Sequence, residues 1–175
     1  MTSSVDMSGC SSLKELPNGI CNLSFITDLS LVKCSNLQRL PDRIGELVNL
    51  RKFYLEECTS LKKLPEGFGR LKCLKKLDLA YCYSLEELCY DFHRLCCLES
   101  LHLDGCHSLK RLPEYFHCLP SLRRFYLSGC PMLKGKEMDL VVKMKTLEYV
   151  TIVNSQMLLK RWKEIQREAI HYVLW

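Results

Sequence analysis

The sequence predicts an α/β solenoid, a stack of short coils rather than a ball. Three observations carry this reading: a fixed repeat length, a two-residue alternation at one place in every repeat, and a proline-led return leg. Cys10, Cys34, Cys58, Cys82, Cys106 and Cys130 are each 24 residues from the next. Self-similarity at such a period marks a repeat architecture, in which each unit buries its apolar face only by stacking on its neighbours.

Between the cysteines the apolar residues hold station. Leucine falls three and six places after the cysteine, proline usually seven places after, and Ile or Phe at ten. Leucine follows at thirteen, Leu or Ile at sixteen, Leu or Phe at nineteen and Leu at twenty-one. The last two stations sit in alternating runs such as Lys52-Phe53-Tyr54-Leu55, Lys76-Leu77-Asp78-Leu79 and Arg124-Phe125-Tyr126-Leu127. Period-two alternation with one apolar face is a half-buried strand. Identical spacing makes the strands parallel and in register, and a parallel pair needs a crossover, which the rest of each repeat supplies.

The crossover begins at Leu-Pro, with Pro17, Pro41, Pro65 and Pro113. Proline suits the first position of a helix, where its missing N–H loses no partner. Apolar residues then recur every three, as in Ile44, Leu47 and Leu50, which suits a 3₁₀ turn. Cys89 replaces proline in the fourth repeat, so that turn is expected to be looser.

Five regular repeats run over 10–33, 34–57, 58–81, 82–105 and 106–129. Residues 4–9 read as the end of an earlier repeat, with Val5 and Met7 at the stations of Leu29 and Leu31. The first rung thus shows no cap; the expectation is either that a partner or a second copy covers it or that the chain is a truncated relative of something longer. In the sixth repeat Lys136 and Glu137 take the Leu-Pro stations, and one residue is inserted before Leu147, Val150 and Ile152. Segment 136–145 reads as a fuller helix and 148–153 as the last strand. The solenoid therefore spans 1–155. Residues 156–175 form a C-terminal amphipathic helix, with Leu158, Trp162, Ile165, Ala169 and Tyr172 on one face and Ser155 as its N-cap. It is read as a lid over the last rung. Its Lys160, Arg161, Lys163 and Arg167 leave open a role as a binding helix.

A net charge of +5 over 175 residues, with both signs interspersed, gives no unbroken basic stripe for nucleic acid. No apolar run approaches the ~20 residues of a membrane span, and the N-terminus shows no secretory leader. Twelve cysteines would suggest disulfides in a secreted chain. Neighbouring rungs are close enough to be bridged, but equivalent side chains in a stack point the same way. The reading is free structural thiols in a reducing, cytoplasmic setting.

The unit LxxLxLxxCxxLxxLPxxIxxLxx resembles an intracellular leucine-rich repeat. The stretches CSSLKELP at 10–17 and CSNLQRLP at 34–41 are similar to the repeats of plant nucleotide-binding leucine-rich-repeat disease-resistance proteins. That resemblance implies a horseshoe with parallel strands on the concave face and short 3₁₀ or helical segments on the convex one. It implies a cysteine ladder of Cys10, Cys34, Cys58, Cys82, Cys106 and Cys130, bonding backbone carbonyls of the turn. It also implies a role in recognition or autoinhibition. The family's nucleotide-binding motif GxxxxGK[ST] is missing; Gly67 and Gly69 lack the lysine and the strand-to-helix setting. The expected form is repeat-only.

Outward strand positions make columns on the concave face. The candidate partner-binding residues are Asp28, Lys52, Tyr54, Glu56, Lys76, Asp78, Tyr81, His102, Asp104, Arg124, Tyr126 and Tyr149. Tyrosine and arginine commonly dominate interface energies. The plainer alternative is a solvated sheet face. A strip of Lys14, Arg39, Lys62, Lys63, Lys110 and Arg111, broken by Glu86 and Glu87, reads as a solubilising edge. His93 and His117, near Cys96, Cys97 and Cys118, lack metal-ligand spacing, and Cys106-His107 and His117-Cys118 lack an oxyanion site. No catalytic residue, metal or cofactor is expected. Two functions remain: a non-catalytic protein-interaction module related to plant disease-resistance signalling, or a general intracellular scaffold or adaptor such as a ubiquitin-ligase substrate receptor.

Overall fold

The computed structural model describes the backbone of residues 3–173 and the side chains of residues 3–167. Seven three-residue strands form one parallel sheet in sequence order: β1 (Ser4–Asp6), β2 (Asp28–Ser30), β3 (Lys52–Tyr54), β4 (Lys76–Asp78), β5 (Ser100–His102), β6 (Arg124–Tyr126) and β7 (Tyr149–Thr151). Each residue pairs with its equivalent one repeat on, as Phe53 with Leu77 and Leu77 with Leu101. The pairing slips by one only at β7, where the inserted residue sets Phe125 against Val150. A parallel ladder in strict repeat register is what a fixed period dictates, because any other pairing would turn leucines outward.

Short 3₁₀ turns close each coil, at Asn18–Asn22, Asp42–Glu46, Phe68–Arg70, Tyr90–Arg94 and Phe116–Cys118. Proline is not their first residue. Pro17 and Pro41 stand just before the turn with extended ψ angles of 141° and 143°. Cys89 adopts the same conformation, φ −63° and ψ 151°, and is buried, so the fourth turn is no looser than the others. Stacking on the flanking repeats imposes that geometry; the pyrrolidine ring only favours it.

The core is a rod of repeated layers. Leu29, Phe53, Leu77, Leu101 and Phe125 make one fully buried column, and Leu31, Leu55, Leu79, Leu103 and Leu127 another. On the convex side Phe68 stacks on Phe53 and Phe92, and Phe92 on Phe116, with ring centroids 6.1–6.4 Å apart. Regular stacking of identical rings gives offset contacts of the favourable kind at every step.

The cysteine station holds the inner turn. Cys34, Cys58, Cys82, Cys106 and Cys130 each donate S–H to a carbonyl 27 residues earlier, at 3.1–3.2 Å. All twelve cysteines are free thiols. Burial pushes Cys58 and Cys130 up to about 12, which suppresses the reactive thiolate. Cys10, at the first rung, is exposed instead. Ser155 is the seventh member of the ladder. Its hydroxyl donates to Leu127 O at 3.1 Å and accepts from Cys130 N–H at 3.1 Å. Ser155 stands at the N-cap position, its carbonyl receiving the first helical bond from Leu159 N–H, while its side chain is engaged with the rung below.

The residue before each ladder position is left-handed: Gly9, Lys33, Glu57, Tyr81, Gly105, Gly129 and Asn154 all have φ between 59° and 76°. Glycine meets this without penalty. A bulky residue there is strained, and Tyr81 is the bulkiest of the set.

Two α-helices flank β7: α1 (Lys136–Val141) before it and α2 (Gln156–Val173) after it. Helix α1 is shorter than the predicted 136–145. Leu158 is buried, and Trp162 and Ile165 pack against the core. Arg161 of α2 bonds Asp139 of α1, Nε to Oδ1 at 3.0 Å, and ties the two helices. The side chains of Ala169 and Tyr172 lie outside the described residues.

Glu137, in the proline column, is buried, and its Oε2 has no hydrogen-bond partner. Burial raises its pKa. A carboxylate whose folded pKa exceeds its unfolded value costs stability as pH rises through that range. Glu137→Gln keeps the shape and removes the charge. Its expected effect is a higher Tm at pH 7 that fades as the pH is lowered toward 4, read by thermal melts of both chains across that range.

Candidate functional site

The strand face carries two unlike halves. Toward the N-terminus it is a set of ion pairs. Lys52 Nζ lies 3.3 Å from Asp28 Oδ1, and Lys76 Nζ lies 3.5 Å from Asp78 Oδ2. Lys76 also sits 5.0 Å from the centroid of the Tyr54 ring, a cation–π arrangement. Asp78 is buried and accepts Ala80 N–H at 3.2 Å. This half is self-neutralised, and Asp78 presents little surface to a partner.

Toward the C-terminus the face is aromatic. His102 and Tyr126 stack at 4.1 Å and 15°, and Tyr126 meets Tyr149 at 5.5 Å and 54°. Burial lowers the pKa of His102, which keeps its imidazole neutral to lower pH, and its Nε2 lies 3.1 Å from Ser100 Oγ. Arg124 is exposed beside these rings. His102 and Tyr126 are paired directly by the strand register, whereas Tyr149 pairs with Arg124 and reaches Tyr126 on the diagonal.

Beside this face lies a cleft of about 460 Å³. It joins five predicted residues, Glu56, Asp78, Tyr81, His102 and Asp104, to His107 and Asn154. Asp104 Oδ1 accepts Ser128 N–H at 2.9 Å. The Tyr81 ring lies over Gly105, where a Cβ would be 2.6 Å from Tyr81 Cδ1. Tyr83 stands edge-on to Tyr81 and stacks on His107 at 4.9 Å. Asp28, Lys52, Tyr54, Lys76, Arg124, Tyr126 and Tyr149 lie outside the cleft, on the open sheet.

A larger groove of about 1130 Å³ runs elsewhere, between the cysteine turn and the 3₁₀ turns. Its floor is Leu40, Leu64, Leu88 and Leu112, and its walls include Arg39, Lys63, Arg111, Asp42, Glu66 and Glu114. Sequence reading marked the basic side as a solubilising strip and overlooked Asp42, Glu66 and Glu114, which stand eight places after three of the periodic cysteines. Three of the six basic residues of the strip are in ion pairs: Arg39 with Glu15, Lys110 with Glu86 and Arg111 with Glu87, each across one rung. Such exposed pairs contribute about 0–1 kcal/mol each. Beside the groove, Tyr90, His93 and Tyr115 form a ring cluster with centroids 5.5–6.1 Å apart.

Among the described residues no group of three or more His, Cys, Asp or Glu is arranged to hold a metal ion. None of the described helices is long and apolar enough to cross a membrane.

The 24-residue coil, the in-register parallel sheet and the 3₁₀ returns define a leucine-rich-repeat solenoid. Neither a protein-family model nor a curated protein matches the sequence. Among solved structures the chain is similar to a leucine-rich-repeat protein of Leptospira interrogans, at 20% identity and TM-score 0.30, over 85% of this chain and 66% of that one. It is similar to the leucine-rich repeat domain of the type III effector XopL at 17% identity and TM-score 0.29, over 82% and 74% of the two chains. An internalin of Listeria monocytogenes gives 12% identity and TM-score 0.24, over 88% and 81%. At these values the fold is defined by the chain's own strand register.

Proposed function

We propose that the chain is a non-catalytic protein-interaction module that holds a partner protein against its concave strand face. The observation that carries this reading is the row His102, Tyr126 and Tyr149 with Arg124 beside it, placed on rigid strands. Rings held on a packed scaffold lose little side-chain freedom on binding, so their contact area converts efficiently into affinity. Lys76, Asp28, Lys52 and Tyr54 form the polar margin, and Glu56, Tyr81 and Asp104 line the adjoining cleft. The resemblance of the repeats to plant disease-resistance proteins supports a place in defence signalling inside the cell. The separate groove beside Tyr90 favours a second reading, an adaptor that bridges two partners.

The test is a partner identified by capture from plant extract with the intact chain, then titrated against variants. Lys76→Glu with Arg124→Glu, and separately Tyr126→Ala, should weaken that complex about tenfold or more. Unchanged affinity in both would move the site off the strand face. If only a Tyr90→Ala variant loses the complex, the groove is the docking surface instead.

A further inference from the structure

The cleft beside the strand face lies where one station of the repeat runs short of bulk. Glu56, Ala80 and Asp104 stand twenty-two residues after Cys34, Cys58 and Cys82, one to a rung, and all three line the cleft. Successive rungs of a parallel sheet are roughly 4.8 Å apart, which sets the backbones of the two acids about 10 Å apart across the alanine. Val32 holds the same station before Glu56, and Ser128 holds it after Asp104. The methyl group of Ala80 is therefore the low point of the column.

The walls carry charge that the chain does not compensate. Among the described residues no lysine or arginine lines the cleft. Asp78 is matched from outside by Lys76 at 3.5 Å. Asp104 commits Oδ1 to Ser128 N–H at 2.9 Å and to Thr151 Oγ1 at 3.5 Å. Among the described residues its Oδ2 accepts no hydrogen bond, and the Glu56 side chain forms neither a hydrogen bond nor an ion pair.

Aromatic surface closes one side. The Tyr81 ring lies over Gly105, and His107, backed by Tyr83, adds a second ring. Tyr81, Tyr83 and His107 are all exposed. Carboxylates beside rings suit a guanidinium. It is flat, bonds carboxylates in its own plane and stacks on aromatic faces, whereas an ammonium is a compact, strongly hydrated point charge.

We infer that this cleft seats an arginine side chain of the protein that docks on the strand face. The guanidinium lies above Ala80, between Glu56 and Asp104 and against Tyr81. The seat rests on the strand face being the docking surface, with which the cleft is continuous through the paired residues Asp78 and His102. It sets the chemistry of the partner there: basic and planar where it meets the middle rungs.

N-acetyl-arginine amide, titrated into the full-length chain and followed by amide nuclear magnetic resonance, tests the seat before any partner is identified. The signals of Ala80, Tyr81 and Gly105 should move and saturate with a Kd in the millimolar range. N-acetyl-citrulline amide, the same shape without the charge, should leave them in place. Glu56→Gln and Asp104→Asn should each weaken the titration about threefold or more. Asparagine keeps an oxygen for Ser128 N–H, so the fold is retained. Ala80→Gln fills the gap with the bulk of Glu56 but no charge and should abolish the shifts. Equal shifts from the citrulline or from N-acetyl-lysine amide, or none at these three amides, would overturn the arginine seat. With the captured partner the two readings fail separately. A complex weakened by the strand-face variants but not by Glu56→Gln with Asp104→Asn strikes the seat and leaves the docking face. A complex weakened by neither set strikes the docking face itself.

Discussion

Leu77→Ala is expected to split the thermal unfolding of this chain into two transitions. Leu77 is fully buried in β4, between Phe53 and Leu101 in the column that runs through the sheet. Truncating a buried leucine costs about 2–5 kcal/mol, from lost transfer energy and the cavity left behind. In a globular core that loss lowers one cooperative transition. Here each rung touches only the next, so a weak central rung uncouples the coils before it from those after it. The C-terminal part keeps α1 and α2, tied by Arg161 and Asp139, and should melt later. Calorimetry or circular dichroism reads the result directly. A single transition at the parent Tm would mean that the stack does not behave as a one-dimensional chain of units.

Gly69→Ala is expected to cost about 1–3 kcal/mol, the usual penalty for forcing an atom into filled space. Gly69 is buried in its 3₁₀ turn, and its α-carbon faces the backbone of the next repeat. A methyl group there would lie 2.9 Å from the carbonyl carbon of Asp91, with the carbonyl oxygen nearer still. A backbone carbonyl cannot rotate away, so the two turns must separate. Gly45 repeats the situation one rung earlier, where a methyl would meet the Gly67 carbonyl. Gly19 is the control: nothing lies within 4 Å, so Gly19→Ala should leave the melt unchanged or slightly raised. Equal Tm values for Gly69→Ala and Gly19→Ala would contradict this account.

The expected site was only partly legible. The strand columns were read correctly as columns, because a two-residue alternation repeated at 24 residues leaves no choice of register. What each side chain does there was not. Asp78 and Lys76 look like free recognition residues in sequence but neutralise each other, because they lie two apart on one short strand. His102, Tyr126 and Tyr149 look like scattered aromatics and instead form one contiguous row, with His102 stacked on Tyr126 and Tyr149 tilted against it. His107 reached the cleft unannounced, since the turn after each ladder cysteine folds back beside the strand face.

Ser155 shows the same boundary at a single residue. Its position before a helical pattern signals a cap, and local propensity offers nothing better. The one-residue insertion in the sixth repeat also carries it to the ladder station, where a carbonyl and an N–H of the rung below both need a partner. The sequence by itself determined the period, the parallel register, the buried columns and a cysteine at one station of each rung, because all of these follow from which residues recur. The tertiary structure alone decided which charges cancel and which rings meet. Those depend on how far one coil leans over the next, a distance that no count along the chain contains.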